Sequence, residues 1–371
     1  MKKLGTYIWV LTAAIIGWGG IWLVASGTRL AVNGFAVSKV AVLNFNQSPP
    51  NSNLANVASV LSATTSVPIY EKPAPAQQEK EIKIIIGGDV MFDRHIRALA
   101  NSQYSSSYDP IMAGISPIFH SADIGVVNLE GPITNFPSHT LFANGQTSKE
   151  LTFTFASTTA TALKDAGIKL VSLANNHTNN FDASGLSQTK GFLDSAQVGY
   201  FGDPNNASST EKVICMDACF AFVGYHEFTH GFDRILADVT RLSHQGYTVI
   251  VMPHWGDEYA TTSPTRIKAK ARQLVEAGAN VVIGSHPHVV EDKEWINNVP
   301  VIYSLGNLVF DQYFSNEVMN GNIAEITFKV DANKINGNYG TARLEKIALQ
   351  NILINRDSGP VLVGDPVEFK L

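Results

Sequence analysis

Val281-Val282-Ile283-Gly284-Ser285-His286-Pro287-His288 carries an apolar, β-branched run straight into two imidazoles. Such a run suits a short strand covered on both faces. The same order recurs along the chain. Lys83-Ile84-Ile85-Ile86 leads into Gly87-Gly88-Asp89, and Ile124-Gly125-Val126-Val127 into Asn128-Leu129-Glu130. Lys169-Leu170-Val171-Ser172-Leu173 leads towards Asn175-Asn176-His177, and Thr248-Val249-Ile250-Val251-Met252 into Pro253-His254. Pro300-Val301-Ile302-Tyr303 leads into Ser304-Leu305-Gly306-Asn307. Helical patterns lie between these runs. Ser263-Pro264 reads as an N-cap and first-turn proline, Ile267, Ala271, Leu274 and Val275 share one face, and Gly278 stops the helix. Asp182 precedes a second helical run through Leu186, Lys190 and Leu193. This alternation predicts an α/β domain. In open α/β sheets ligands sit beyond the carboxyl ends of the strands, so these polar residues are expected to meet at one edge.

Each candidate also has a plainer reading. Asp89 can cap a turn, Glu130 can accept backbone hydrogen bonds, and Asn176-His177 sits in a loop of side-chain-to-backbone bonding types. His254, beside Trp255 and Gly256, can be a packed aromatic. His286 and His288, flanking Pro287, are the most specific pair, because two imidazoles so spaced can face one ion. Taken together, Asp89, Glu130, Asn176, His254, His286 and His288 form a nitrogen and oxygen donor set without thiolate. That suits divalent ions of the Mn, Fe or Zn class. Six donors exceed what one four-coordinate ion needs, so two ions sharing a bridging carboxylate are expected. His177, next to Asn176, is placed to donate a proton to a leaving group.

Composition narrows the classes. With 371 residues, 45% hydrophobic and 16% charged, the chain can bury a sizeable core. Lys+Arg 27 against Asp+Glu 32, with no long basic run, argues against a nucleic-acid partner. Leu4 to Thr28 carries no charge and follows Lys2-Lys3. About 20 apolar residues span a bilayer, so residues 1–30 read as a cytoplasmic stub and an uncleaved signal-anchor transmembrane helix, with everything beyond Arg29 outside the cell membrane. A cleaved signal peptide with Val24-Ala25-Ser26 at its site is the competing reading. Residues 31–80, rich in Asn, Ser, Ala and Pro, read as a flexible tether, and 81–371 as the working domain. Cys215 and Cys219 flank a short turn between strand-like runs. A disulfide there fits an oxidising compartment; two free half-buried thiols are the alternative.

The motifs Gly88-Asp89-Val90-Met91-Phe92-Asp93-Arg94, Asn128-Leu129-Glu130, Ala174-Asn175-Asn176-His177, His254-Trp255-Gly256-Asp257-Glu258, Gly284-Ser285-His286-Pro287-His288 and Tyr303-Ser304-Leu305-Gly306-Asn307-Leu308-Val309-Phe310-Asp311 keep one order over Ile82 to Asp311. They resemble the bacterial capsule-synthesis family of CapA type, whose members take part in making or exporting poly-γ-glutamate capsule. That family is in turn similar to the calcineurin-like metallophosphoesterases. The resemblance implies a four-layer αββα metallophosphatase-like sandwich of two mixed sheets, preceded here by the one transmembrane helix. It implies Asp89 as the first metal aspartate, Glu130 at the bridging position, Asn176 and His177 as ligand and proton donor, and His254, His286 and His288 as metal histidines.

Two departures stand out. Met91 occupies the place of a metal histidine, so that either Asp93 compensates or one metal position is weak or empty, and Glu130 is one methylene longer than the usual aspartate. Arg94 is the candidate to grip a substrate carboxylate or phosphate, with Asp93 also in the substrate-binding set. Residues after Asp311 are expected to form an antiparallel meander completing the second sheet, with no chemistry. The functional expectation is metal-dependent cleavage, transfer or holding of a γ-glutamyl polymer at the cell envelope, alongside membrane-bound capsule synthase subunits. A phosphoesterase acting on envelope phosphate esters and a non-catalytic polymer-binding subunit are the rivals.

Overall fold

β1 (Lys80–Val90) alternates its isoleucines between two different cores. Ile84 and Ile86 face the space between two sheets, where they meet Phe220, Phe222, Ile250 and Met252. Ile85 faces the other way, onto Leu99, Leu163 and Leu193. The period of two is what lets one short run serve both sides. Burying each such side chain stabilises by about 1.5–3 kcal/mol.

This computed structural model describes residues 80–371 except 141–146, 149, 208–210 and 337–338, within the compact unit Gln77–Leu371. The expected anchor and the tether up to residue 79 lie outside the described residues. Among those described, no helix is long and apolar enough to cross a membrane.

The strands in chain order are β1, β2 (Ile124–Leu129), β3 (Leu170–Ser172), β4 (Gly199–Phe201), β5 (Glu211–Cys215), β6 (Cys219–His226), β7 (Thr248–His254) and β8 (Val281–Ile283). They continue with β9 (Lys293–Ile296), β10 (Val299–Ile302), β11 (Asn307–Val309), β12 (Asn320–Asn336), β13 (Tyr339–Asn355) and β14 (Gly359–Glu368). An eight-stranded mixed sheet runs β14-β13-β12-β1-β2-β3-β4, with β11 paired to the end of β1. A six-stranded mixed sheet runs β5-β6-β7-β8-β10-β9. Helices α1 (Arg94–Gln103), α2 (Thr158–Asp165) and α3 (Asp182–Ala196) cover the outer face of the first sheet. Helices α4 (Phe232–His244) and α5 (Thr265–Glu276) cover the second.

Two expectations are corrected. The meander β12–β14 extends the first sheet, not the second, because β1 is already parallel to β2 on one edge and takes β12 antiparallel on the other. Pro264, rather than Ser263, occupies the N-cap of α5, which starts at Thr265. The face Ile267, Ala271, Leu274 and Val275 is buried and Gly278 ends the helix region with φ 109°. Cys215 and Cys219 oppose each other in the β5–β6 ladder and are disulfide-bonded.

The approach to the strand ends is tight. A Cβ on Gly88 would lie 1.9 Å from the Gly306 carbonyl oxygen, and one on Gly284 would lie 2.0 Å from that of Tyr303. Both contacts are to backbone that cannot swing aside. Gly88→Ala is therefore expected to destabilise by about 1–3 kcal/mol or more, read as a lowered midpoint of thermal unfolding; an unchanged midpoint would show that the corner is looser than these contacts imply.

Candidate metal centre

Register gathers the first donors. Asp89 on β1 is level with Asn128 on β2 and with Asn307 on β11. Its Oδ1 accepts from Asn128 Nδ2 at 2.7 Å, and its Oδ2 accepts from the backbone N–H of His286 at 3.1 Å. Glu130 follows β2, its own N–H bonded to Val90 O at 2.9 Å. His288 completes the group. Its Nε2 lies 3.6 Å from Glu130 Oε1, and its Nδ1 lies 3.5 Å from Asp89 Oδ2 and 2.9 Å from Asn307 Oδ1. Donor atoms of Asp89, Glu130 and His288 all lie within 4.8 Å of one another, and all three residues are buried.

A neighbouring group is built from Asn176, His254 and His286. His254 Nε2 is 2.9 Å from Asn176 Oδ1 and 3.2 Å from His286 Nδ1. Ser285 Oγ, 3.0 Å away, and Asn128 Nδ2, 3.2 Å away, hold the other ring nitrogen of His254. The turn that carries the two last histidines is conformationally costly. His286 (φ 100°) and His288 (φ 59°) are both left-handed, a strain that persists where surrounding contacts enforce it. Here the His286 bond to Asp89 and the His288 bond to Asn307 do so.

Burial then sets the charges. Desolvation holds the His254 imidazole well below its ordinary pKa, and the neighbouring His286 adds to this. His286 is lowered to about 3 and His177 to about 4, by burial first and then by the positive charge of His288. Burial alone would lower His288 too. The Glu130 and Asp89 carboxylates outweigh it and raise His288 to about 9. Glu130 is itself pushed well above the usual carboxylate range, chiefly by desolvation. Both upward shifts have one meaning: the Asp89–Glu130–His288 group retains a proton through neutral pH.

Both carboxylate oxygens of Glu130 are buried without a hydrogen-bond partner. A buried carboxylate without hydrogen bonds is costly; the His288 ring at 3.6 Å is too distant to bond it, and a cation held between them would satisfy both. Asp89, Glu130 and His288 therefore fit a cation, and Asn176, His254 and His286 lie beside them as further nitrogen and oxygen donors.

The remaining candidates divide. His177 reaches the group, with its Nε2 3.9 Å from Glu130 Oε1 and its ring 4.3 Å from that of Phe153. Its lowered pKa leaves the ring neutral near neutral pH. Arg94 stacks over Phe153 at 4.9 Å and pairs with Asp311. Asp93 does not join them. It is fully buried, accepts from Ser138 Oγ at 2.8 Å and Thr154 N at 2.9 Å and pairs with Arg97, so its contacts are with the protein and not with the donor group. Met91 offers no ligand in its place, since its sulfur accepts the Asp93 N–H at 3.0 Å.

Asn128, Asn307 and Ser285 are site residues that sequence reasoning passes over. Their signal is present, since each stands at a strand end beside a motif, but only register shows that they orient Asp89, His288 and His254.

A profile of the bacterial capsule synthesis protein PGA_cap matches residues 83–312, more than half of the chain. The chain belongs to this family. It is 27% identical over 280 residues to the capsule biosynthesis protein CapA of Bacillus anthracis, covering 69% of this chain and 67% of that protein. It is 27% identical over 244 residues to the PGA biosynthesis protein CapA of Bacillus subtilis strain 168, covering 61% and 62%. The aligned region thus spans about two thirds of each relative's length. Among solved structures, a hypothetical protein from Thermus thermophilus aligns with TM-score 0.41 at 15% identity, covering 78% of this chain and 98% of that one. The sulfate thiohydrolase SoxB of the same organism aligns with TM-score 0.36 at 11% identity, covering 69% and 42%. These scores are too low to carry an inference.

Because His288 must lose its proton to bind an ion, affinity for Mn²⁺ or Zn²⁺ is expected to rise with pH up to about 9. Calorimetry in buffers of different ionisation enthalpy should show about one proton released per protein on ion loading near neutral pH. Affinity indifferent to pH would remove His288 from the ligand set.

Proposed function

We propose that this family member is a membrane-anchored, extracytoplasmic protein of capsule assembly, built on a metallophosphatase-like sandwich, that cleaves or transfers γ-linked glutamyl chains with divalent ions. The observation that carries the reading is the buried, unpartnered Glu130 carboxylate among five further donors. Bound ions there supply Lewis-acid polarisation and neutralise charge developing on a carbonyl oxygen. The protein does the rest. Asp311 and two aromatic rings orient the Arg94 guanidinium, which can grip a pendant carboxylate of the chain. As a nucleophile bonds to the carbonyl carbon, water in cleavage or an acceptor amine in transfer, His177 on the Glu130 side takes its proton and passes it to the nitrogen whose bond to that carbon breaks. The Lys2-Lys3 start, the uncharged run to Thr28 and the Cys215–Cys219 bridge support the external placement.

His177→Ala should lower the rate of chain cleavage or transfer by about 10²–10⁴-fold while ion content, measured by elemental analysis, stays at the wild-type value. Chain length of poly-γ-glutamate, followed by gel electrophoresis, is the readout. Wild-type turnover in that variant would sink catalysis by this site. Turnover of an aryl phosphate in place of the polymer would move the protein to phosphate esters. Occupation of the Met91 sulfur by the Asp93 N–H leaves the Asp89 position one donor short. That favours, as a second reading, a non-catalytic subunit that holds polymer for a membrane synthase. Ion-free protein that still binds polymer and supports capsule formation would establish it.

A further inference from the structure

Exposed large apolar side chains among the described residues are of two kinds. Some lie along β13 and β14 or at the chain end. The others, Phe136, Leu151, Phe228, Tyr259 and Phe314, all stand on segments that follow the carboxyl ends of strands, where the donor groups converge. Phe314 is 66% exposed, Leu151 60% and Phe228 50%.

Contacts tie this collar to the site. The Phe228 ring lies 4.5 Å from that of His286, and the Tyr259 ring 6.2 Å from that of His288. Phe314 stands edge-on to Tyr259 at 5.1 Å. On another flank, the Leu151 carbonyl accepts from Asn180 Nδ2 at 2.9 Å, and that nitrogen is 3.3 Å from His177 Nδ1. Tyr259 is held in a left-handed conformation (φ 64°) by its N–H bond to Pro287 O at 2.8 Å. Its hydroxyl accepts from Gln312, which also accepts from Asn307. The collar is thus positioned by the same framework that orients His288.

Nearby basic groups are already paired. Arg266 bonds Asp257 at 2.6 Å, Lys268 bonds Asp292 at 2.5 Å and Lys270 bonds Glu227 at 3.2 Å, which leaves Arg94 as the one cation assigned above to a pendant carboxylate. A surface of rings and compensated cations grips hydrocarbon better than charge. In a γ-linked glutamate chain two methylenes lie in the main chain of every unit, with the carboxylates pendant. An α-linked chain has the same charge and composition but carries those methylenes in side chains tipped by carboxylates.

We propose that the collar binds the main-chain methylenes of γ-linked polyglutamate and so reads linkage rather than charge. This rests on the polymer reading above. The test uses the full-length protein loaded with its ions and oligoglutamates of equal length, γ-linked and α-linked, in a direct binding measurement. Wild type should prefer the γ-linked oligomer. The Phe228→Ser/Phe314→Ser double variant should bind it about tenfold more weakly, with its weak α-linked binding, ion content and thermal midpoint unchanged. Undiminished γ-linked binding in the variant, or equal binding of both isomers by wild type, overturns the collar while leaving the polymer reading intact. Wild type binding neither isomer overturns both. Loss of binding only to phosphatidylglycerol vesicles assigns the collar to a lipid surface and also overturns the proposal.

Discussion

The structure turns on the buried Asp89 carboxylate. It sits at the tip of β1, level with Asn128 on one neighbouring strand and Asn307 on the other. Through the His286 N–H it also ties the first sheet to the loop that follows β8 in the second. A fully buried carboxylate is tolerable only when donors or cations meet it. Satisfying Asp89 therefore forces the ends of strands from two sheets to arrive at one place.

Glycine and strain make that arrival possible. Gly88 and Gly284 let backbone approach backbone where a methyl group would collide, and the left-handed His286 and His288 turn both rings inward. Burial then separates the histidines by charge state. Burial lowers His177, His254 and His286, which leaves their lone pairs available, while the neighbouring carboxylates raise His288 and desolvation raises Glu130. Family membership agrees with a role in capsule synthesis, and the chemistry proposed for it follows from this electrostatic layout.

Much of this is legible in the primary structure. The apolar runs end close to where the strands end, because strands covered on both faces need continuous Val and Ile, and the six expected donors do lie in two adjacent groups. What sequence reasoning misjudges are residues whose role depends on neighbours. Asp93 is a carboxylate one turn from the site, yet its partners are Ser138, Thr154 and Arg97. Asn128 reads as a polar residue before Glu130, yet it bridges Asp89, Asn175 and His254. The meander is expected in the wrong sheet because alternation reveals which face of a strand is apolar and says nothing of which edge it joins.

By itself, then, the order of amino acids determined the α/β class, the strand ends that bear chemistry and the family, since these depend on local periodicity and on motifs contiguous in the chain. Tertiary structure alone decided which carboxylate is hydrogen-bonded and which is not, which imidazoles burial lowers and which one the carboxylates raise, and that Phe228 and Tyr259 stand beside the histidines. Those properties arise from distances between residues far apart in the chain and from exclusion of water, neither of which is written at any single position.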